Sequence, residues 1–190
     1  MEKAILNQPH FKDESKARQW LEAVRWPLGP VCPHCGAVSK DHYKLEGQAH
    51  RHGLYKCKDC REQFTVTVGT VFERSKVKLH VWLQAMQLMG SSKKGISSKQ
   101  LERMLGVTYQ TAWFMSHRIR EAMKAPVSPQ HLQRYATEFD FRYNHRETKV
   151  KDADGKWVKA GHSDAERTVE LAKGIGGKRL TYRASDRSAA

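Results

Sequence analysis

Four cysteines constrain this chain more than any other feature. They form two pairs, Cys32-Pro33-His34-Cys35 and Cys57-Lys58-Asp59-Cys60, with residues 36–56 between them. A two-residue gap lets both sulfurs of a pair turn toward one ion, and two such knuckles supply the four thiolates of a closed tetrahedral zinc site. Two disulfides or a redox pair are the alternatives. The N-terminus, MEKAILNQPHFKDESKARQW, has no basic-then-apolar leader pattern, so a reducing cytosolic setting is expected and disulfides are disfavoured. No thioredoxin-like pattern surrounds either pair. Cys32, Cys35, Cys57 and Cys60 are therefore expected to hold a structural Zn2+. With four thiolates filling the sphere, His34, His42, His50 and His52 are expected at the surface or facing DNA.

Downstream of the second knuckle, Phe64, Val66 and Val68 alternate with Thr65 and Thr67, which predicts a half-buried strand. GLYKCKDC supplies its partner, with Cys57 and Cys60 at the tip. Knuckles and short antiparallel strands make a zinc ribbon. So small a sheet buries little surface, and the metal must supply much of its folding free energy.

Helices are expected on both sides. Upstream, Ala17, Trp20, Leu21 and Val24 recur at helical spacing, with Asp13 or Ser15 as cap and Pro27 as stop. Downstream, Leu79, Trp82, Leu83, Met86 and Met89 repeat the pattern, and core packing accounts for these Trp and Met residues. Ser97-x-x-Gln100 then resembles a capping box, Leu101, Met104 and Leu105 form an apolar face, and Gly106 permits a stop. Thr108 caps a further helix, with Ala112, Met115, Ile119 and Met123 facing inward. Helix, glycine-containing turn and helix, preceded by a third helix, is the helix-turn-helix pattern. A helical hairpin packed inside a protein would give the same pattern.

Charge favours the first of these. The chain carries 34 Lys and Arg against 20 Asp and Glu, a formal net charge of +14. Up to Ala125 there are 21 basic and 11 acidic residues, so most of the excess lies on the N-terminal part. Such a field suits a polyanion, with double-stranded DNA ahead of an anionic membrane surface. No apolar run is long enough to span a membrane. In a helix-turn-helix the second helix presents its first residues to base edges. Tyr109, Gln110, Thr111 and Phe114 are the expected base-side residues, Gln110 being suited to an adenine edge. His117, Arg118 and Arg120 lie further along and are assigned to phosphates.

Taken together, RWPLGPVCPHCG, GLYKCKDCREQFTVTVGTVFE and SSKKGISSKQLERMLGVTYQTAWFMSHRIREAM resemble bacterial insertion-sequence transposases of the ISXO-like branch, over roughly residues 11–124. The resemblance implies a zinc ribbon ahead of a DDE-type integrase core, and a DNA-binding region for terminal inverted repeats. HLQRYATEFDFRYNHRE resembles the segment that closes the family's catalytic domain, and AERTVELAKGIGGKRLTYR is similar to the family's C-terminal end. In a complete member the RNase H-like core lies between the positions of Met123 and His131, where this chain has KAPVSPQ. The resemblance therefore implies a deleted core. The family's Mg2+-binding carboxylates, which hold two ions for in-line phosphoryl transfer, have no matching residues here.

The acids that remain have ordinary explanations. Glu138 and Asp140 are two apart on an expected helix, Asp152 and Asp154 sit in a polar hairpin turning at Asp154-Gly155, and Asp164 and Glu166 begin a polar helix as caps. Leu132, Tyr135, Ala136, Phe139 and Tyr143 make an apolar helical face without its expected partner, and residues 148–190 are expected to be loosely ordered.

The expectation is thus an α+β, mostly helical chain: an N-terminal helix (1–30), a zinc ribbon (31–72), a helix-turn-helix region (76–125) and a poorly packed helical remnant (126–190). It would be a cytoplasmic, nucleoid-associated DNA binder, a homo-oligomer or a mixed oligomer with intact transposase, and inactive alone. The alternatives are a subunit competent for transposition beside an intact transposase, and a zinc-ribbon transcriptional regulator.

Overall fold

The computed structural model describes residues 5–47, 50–92, 95–123, 141, 145, 148–151 and 156–175. Two single-turn 3-10 helices, Ile5–Asn7 and Pro9–Phe11, lead into α1, Glu14–Arg25. Asp13 caps α1 by accepting from the Lys16 amide at 2.8 Å, and the helix stops one residue before Pro27 with Trp26 as its C-cap. Ala17 and Leu21 are fully buried, and Trp20 and Val24 pack at the edge of the same core.

The ribbon is a three-stranded antiparallel sheet in the order β1 (Tyr43–Leu45), β2 (Leu54–Lys56), β3 (Gln63–Phe64). Tyr55 pairs with Phe64, and the two rings stack at 5.7 Å beneath the edge of Trp26. The strand expected through Val68 ends at Phe64. Hydroxyls are the reason: Thr65 and Thr67 bond each other at 2.9 Å, and the Thr70 hydroxyl donates to the Thr67 carbonyl at 2.6 Å. These contacts curl the chain into consecutive turns, and Val66 is buried from a turn instead of from a strand.

The helical layer follows with α2 (Leu79–Ser91), α3 (Ser98–Leu105) and α4 (Tyr109–Met123). Ser97 caps α3, accepting from the Gln100 amide at 3.1 Å. Gly106 closes α3 in the left-handed region at φ 65 and donates to the Glu102 carbonyl. Thr108 then accepts from the Thr111 amide at 3.3 Å at the start of α4. Ala112, Met115, Ile119 and Met123 all face inward, whereas Met104 is half exposed and does not complete the α3 apolar face.

A hairpin of β4 (Thr148–Lys151) and β5 (Trp157–Ala160) precedes α5, Asp164–Lys173. This last helix corrects the expectation of a loose tail over the residues it spans. Leu171, Ala172 and Ile175 are buried, and Leu171 rests against Gly90 of α2, where an added Cβ would lie 3.3 Å from its Cδ1. Arg167 donates to the Gly90 carbonyl at 3.0 Å, and Gln87 donates to the Asp164 carbonyl at 3.1 Å. The Thr168 hydroxyl donates to the Gln87 side chain, so the one buried amide of α2 is satisfied by α5. The expected face of Leu132, Tyr135, Ala136, Phe139 and Tyr143, the Asp154-Gly155 turn and the KAPVSPQ joint lie outside the described residues.

Candidate metal centre and the exposed face of the fourth helix

The two knuckles are built alike. In the first, the Cys32 amide donates to the Ala37 carbonyl at 2.9 Å; in the second, the Cys57 amide donates to the Glu62 carbonyl at 2.9 Å. Each closes a turn over five residues and points both sulfurs at the opposite knuckle. Cys32 and Cys60 approach to 3.6 Å between sulfurs, as do Cys35 and Cys57, and all four sulfurs lie within 4.8 Å of one another. A tetrahedron with zinc–sulfur bonds of about 2.3 Å has edges of about 3.8 Å. The donor set fits a structural zinc ion in both chemistry and spacing.

The thiols themselves call for a cation. The Cys60 thiol is pushed up to about 12: the Glu62 backbone favours its anion, but burial and the three neighbouring sulfurs oppose it more strongly. Burial also raises Cys57, yet the Cys60 and Asp59 backbone amides and the neighbouring thiols bring it down to about 6. One sulfur ionises at the expense of the others, and a bound divalent ion removes that conflict.

His42 departs from its expected place at the surface. It is buried, with its ring edge-on to Phe64 at 5.6 Å. Nε2 lies 3.2 Å from the Ala37 carbonyl and Nδ1 accepts from the Lys58 amide at 3.3 Å. The ring therefore bridges the first knuckle to the second, in the tautomer that carries its proton on Nε2. His34, His50 and His52 are exposed, as expected.

The residues proposed for DNA divide into two groups. Tyr109 and Gln110 are exposed at the start of α4, and Thr111 is half-buried. Lys99 of α3 lies over the Tyr109 ring, 5.9 Å from its centroid. Trp113, which the helix-turn-helix template did not single out, is 41% exposed, and its ring meets His117 at 4.2 Å. Tyr109, Trp113 and His117 are four residues apart in turn, so they form one stripe along the helix; that spacing was the signal available in the sequence.

Arg118 and Arg120 correct the assignment to phosphates. Both are buried. The Arg118 guanidinium donates to the Val71 carbonyl at 2.6 Å and the Glu73 carbonyl at 2.9 Å, and lies over the Phe114 ring at 4.4 Å. Arg120 donates to the Ser116 hydroxyl at 3.2 Å. Phe114 packs against Trp82 at 6.2 Å, so its ring belongs to the core margin. Arg25 of α1 makes a similar contact from the other side, donating to the Val66 carbonyl at 2.5 Å. Two arginines from different helices thus pin the turns that join ribbon to bundle.

Among the described residues, the four cysteines are the one group of three or more potential ligands close enough for a metal ion. The described acids do not fit a two-metal carboxylate site. Glu166 accepts from the Ser163 amide at 2.7 Å in a capping box, and Asp164 pairs with Arg167 at 2.8 Å. Among the described residues no helix is long and apolar enough to cross a membrane.

Comparison with known proteins bears on the same segment. Residues 12–63, which contain all four cysteines, match the family described as transposase zinc-ribbon domain. Over 116 residues the chain is 34% identical to an uncharacterized protein in transposable element ISH50 of Halobacterium salinarum. That alignment covers 61% of this chain and 38% of the relative, so the chain spans well under half of that protein's length. No solved structure matches. The ribbon segment is thus similar to transposase zinc ribbons, and the wider alignment is to a protein in a transposable element.

Proposed function

We propose that the chain binds duplex DNA at the terminal inverted repeats of an insertion sequence and does not itself cut or join it. The observation that carries this is the combination, in one body, of a transposase-type zinc ribbon with an exposed polar and aromatic face at the start of α4. Gln110 is positioned for a base edge, and Tyr109, Trp113 and His117 extend the contact along the helix. Lys99 and Arg103, both exposed on α3, supply charge for the flanking phosphates. Zinc holds the ribbon and takes no part in chemistry.

The absence of strand scission is inferred from the sequence, which resembles the ISXO-like branch on both sides of a catalytic core that it lacks. A binder without that core competes with an intact transposase for the element's ends. A second reading, in which the chain joins a mixed assembly whose carboxylates come from an intact transposase, uses the same face of α4.

The test is a paired assay on the zinc-loaded chain: binding and nicking of terminal-repeat DNA against scrambled DNA, with Mg2+ or Mn2+, over a salt series. Specific binding without nicking supports the proposal. Metal-dependent cutting by the pure chain refutes inactivity, and equal affinity for scrambled DNA refutes end recognition.

A further inference from the structure

The open face of α4 carries no exposed lysine or arginine. Between Tyr109 and Met123 the helix has two arginines and no lysine, and both arginines are buried. The Val71 and Glu73 carbonyls hold Arg118, and the Ser116 hydroxyl holds Arg120. The charged residues of α3 are Lys99, Glu102 and Arg103, and Lys99 pairs with Glu102 at 2.6 Å. The one acid of α4, Glu121, is half-buried in its last turn.

That inventory limits which bases the helix can read. Guanine is read most often by arginine or lysine at O6 and N7, and the open face of α4 offers neither. Exposed on its first turns are Tyr109, Gln110 and Trp113. A glutamine amide matches N6 and N7 of adenine, and an apolar side chain matches the C5-methyl of thymine. Gln110 and Trp113 are three residues apart and so share one side of the helix. The Trp113 ring meets that of His117 at 4.2 Å, one turn on, which limits the positions open to the indole. His117 itself is half-buried. Thr111, whose hydroxyl could serve any base, is half-buried too, and that hydroxyl lies 2.9 Å from the one on Thr108.

Resting on the DNA-binding function proposed above, we propose that α4 reads an A·T step and that Trp113 is the residue that recognises thymine. The Gln110 amide takes the adenine edge. The Trp113 indole packs on the thymine C5-methyl of that base pair or of the next. Selectivity for A·T over G·C then comes from an amide and a ring, and the exposed cations of this region stay on α3, where they meet phosphates.

The experiment scans the terminal-repeat duplex one position at a time on the zinc-loaded chain, with uracil in place of thymine or 7-deazaadenine in place of adenine. The first change removes the methyl group and the second the N7 acceptor. At one adenine, 7-deazaadenine should lower affinity by about 3- to 10-fold, half the worth of a bidentate pair, and Gln110→Ala should abolish that loss. At the thymine paired with it or next to it, uracil should lower affinity by about 4-fold, the worth of one buried methyl group. Trp113→Ala should bind the thymine and uracil duplexes equally, and Trp113→Phe, which keeps an apolar ring, should retain part of the difference. Because Trp113 is exposed, both variants should melt close to the parent. Equal binding of the two duplexes by the parent at every position, or a methyl effect that survives Trp113→Ala, overturns the inference and leaves end recognition standing; either is the outcome if the indole packs on a second protein chain instead. A 7-deazaguanine loss that Gln110→Ala removes also overturns it. A parent chain with no preference for terminal-repeat over scrambled DNA overturns both.

Discussion

The guanidinium of Arg118 sits 2.6 Å from the carbonyl oxygen of Val71, forty-seven residues earlier in the chain. With its second bond, to the Glu73 carbonyl, this places a buried cation of α4 on the turns that leave the ribbon. Charged hydrogen bonds of this kind contribute about 1.5–3 kcal/mol each, and the carbonyls would be left unsatisfied without them. Arg118→Met should therefore lower stability by about 3 kcal/mol. The salt slope of DNA binding should stay unchanged under conditions where the variant is folded. Denaturant unfolding and a salt series measure the two, and a reduced slope would return Arg118 to the phosphate contacts.

Zinc removal tests the ribbon directly. Cys57→Ser with Cys60→Ser should lose the ion and melt the ribbon, because two thiolates cannot complete the site. Metal analysis and thermal unfolding report this, and parental metal content in the variant contradicts the four-thiolate site.

His42→Phe should leave the sulfurs in place and still weaken the site. The substitution keeps a ring against Phe64 but removes the partners of the Ala37 carbonyl and the Lys58 amide. Residues that orient ligands from outside the metal's own shell typically change affinity by about 10- to 100-fold. Competition with a chelator measures that shift, and parental affinity would reduce His42 to packing alone.

Glu22 gives a pH dependence. Its Oε2 accepts from the Tyr55 hydroxyl at 3.2 Å, while Oε1 is buried with no partner among the described residues. Burial raises its carboxyl above the ordinary 4.5, against the smaller opposing pull of Tyr55, Lys44 and Arg18. A raised acid favours the fold while protonated. That contribution is complete below the ordinary value and is lost as pH rises through the raised one. Glu22→Gln should accordingly melt higher than the parent at pH 8, with the gap narrowing toward pH 5. A constant gap across that range would remove ionisation as its cause.

Leu171→Ala tests the docking of α5. The side chain is 1% exposed and lies against Gly90, so truncation opens a cavity between two helices. A loss of about 2–4 kcal/mol is expected in denaturant unfolding. A loss below about 0.5 kcal/mol, the level of a surface change, would show that α5 does not share the core.

The features legible in the sequence were those set by neighbours a few residues apart. Cysteine spacing located the metal centre, and Asp13, Ser97, Gly106 and Thr108 marked helix ends because caps act on adjacent backbone. What escaped was set by partners far along the chain. Arg118 reaches carbonyls in another element, and its charge masked a clue, since it lies three residues after Met115 and one before Ile119 on the buried side of α4. His42 bridges two knuckles that the sequence separates. Alternation from Phe64 to Val68 resembled a strand until threonine hydroxyls bent it into turns. A polar composition hid the few residues by which α5 packs on α2.

Those few residues also close a circuit. α5 starts against Gln87 and Gly90 of α2, and at its other end Gly174 lies beside the Ala122 carbonyl, where an added Cβ would come within 3.2 Å. The backbone thus departs from α4 and comes home to the same small neighbourhood of the bundle. The exit of α4 and the close of α5 are thereby fixed to each other, so the last helix anchors the end of the fourth as well as the length of the second.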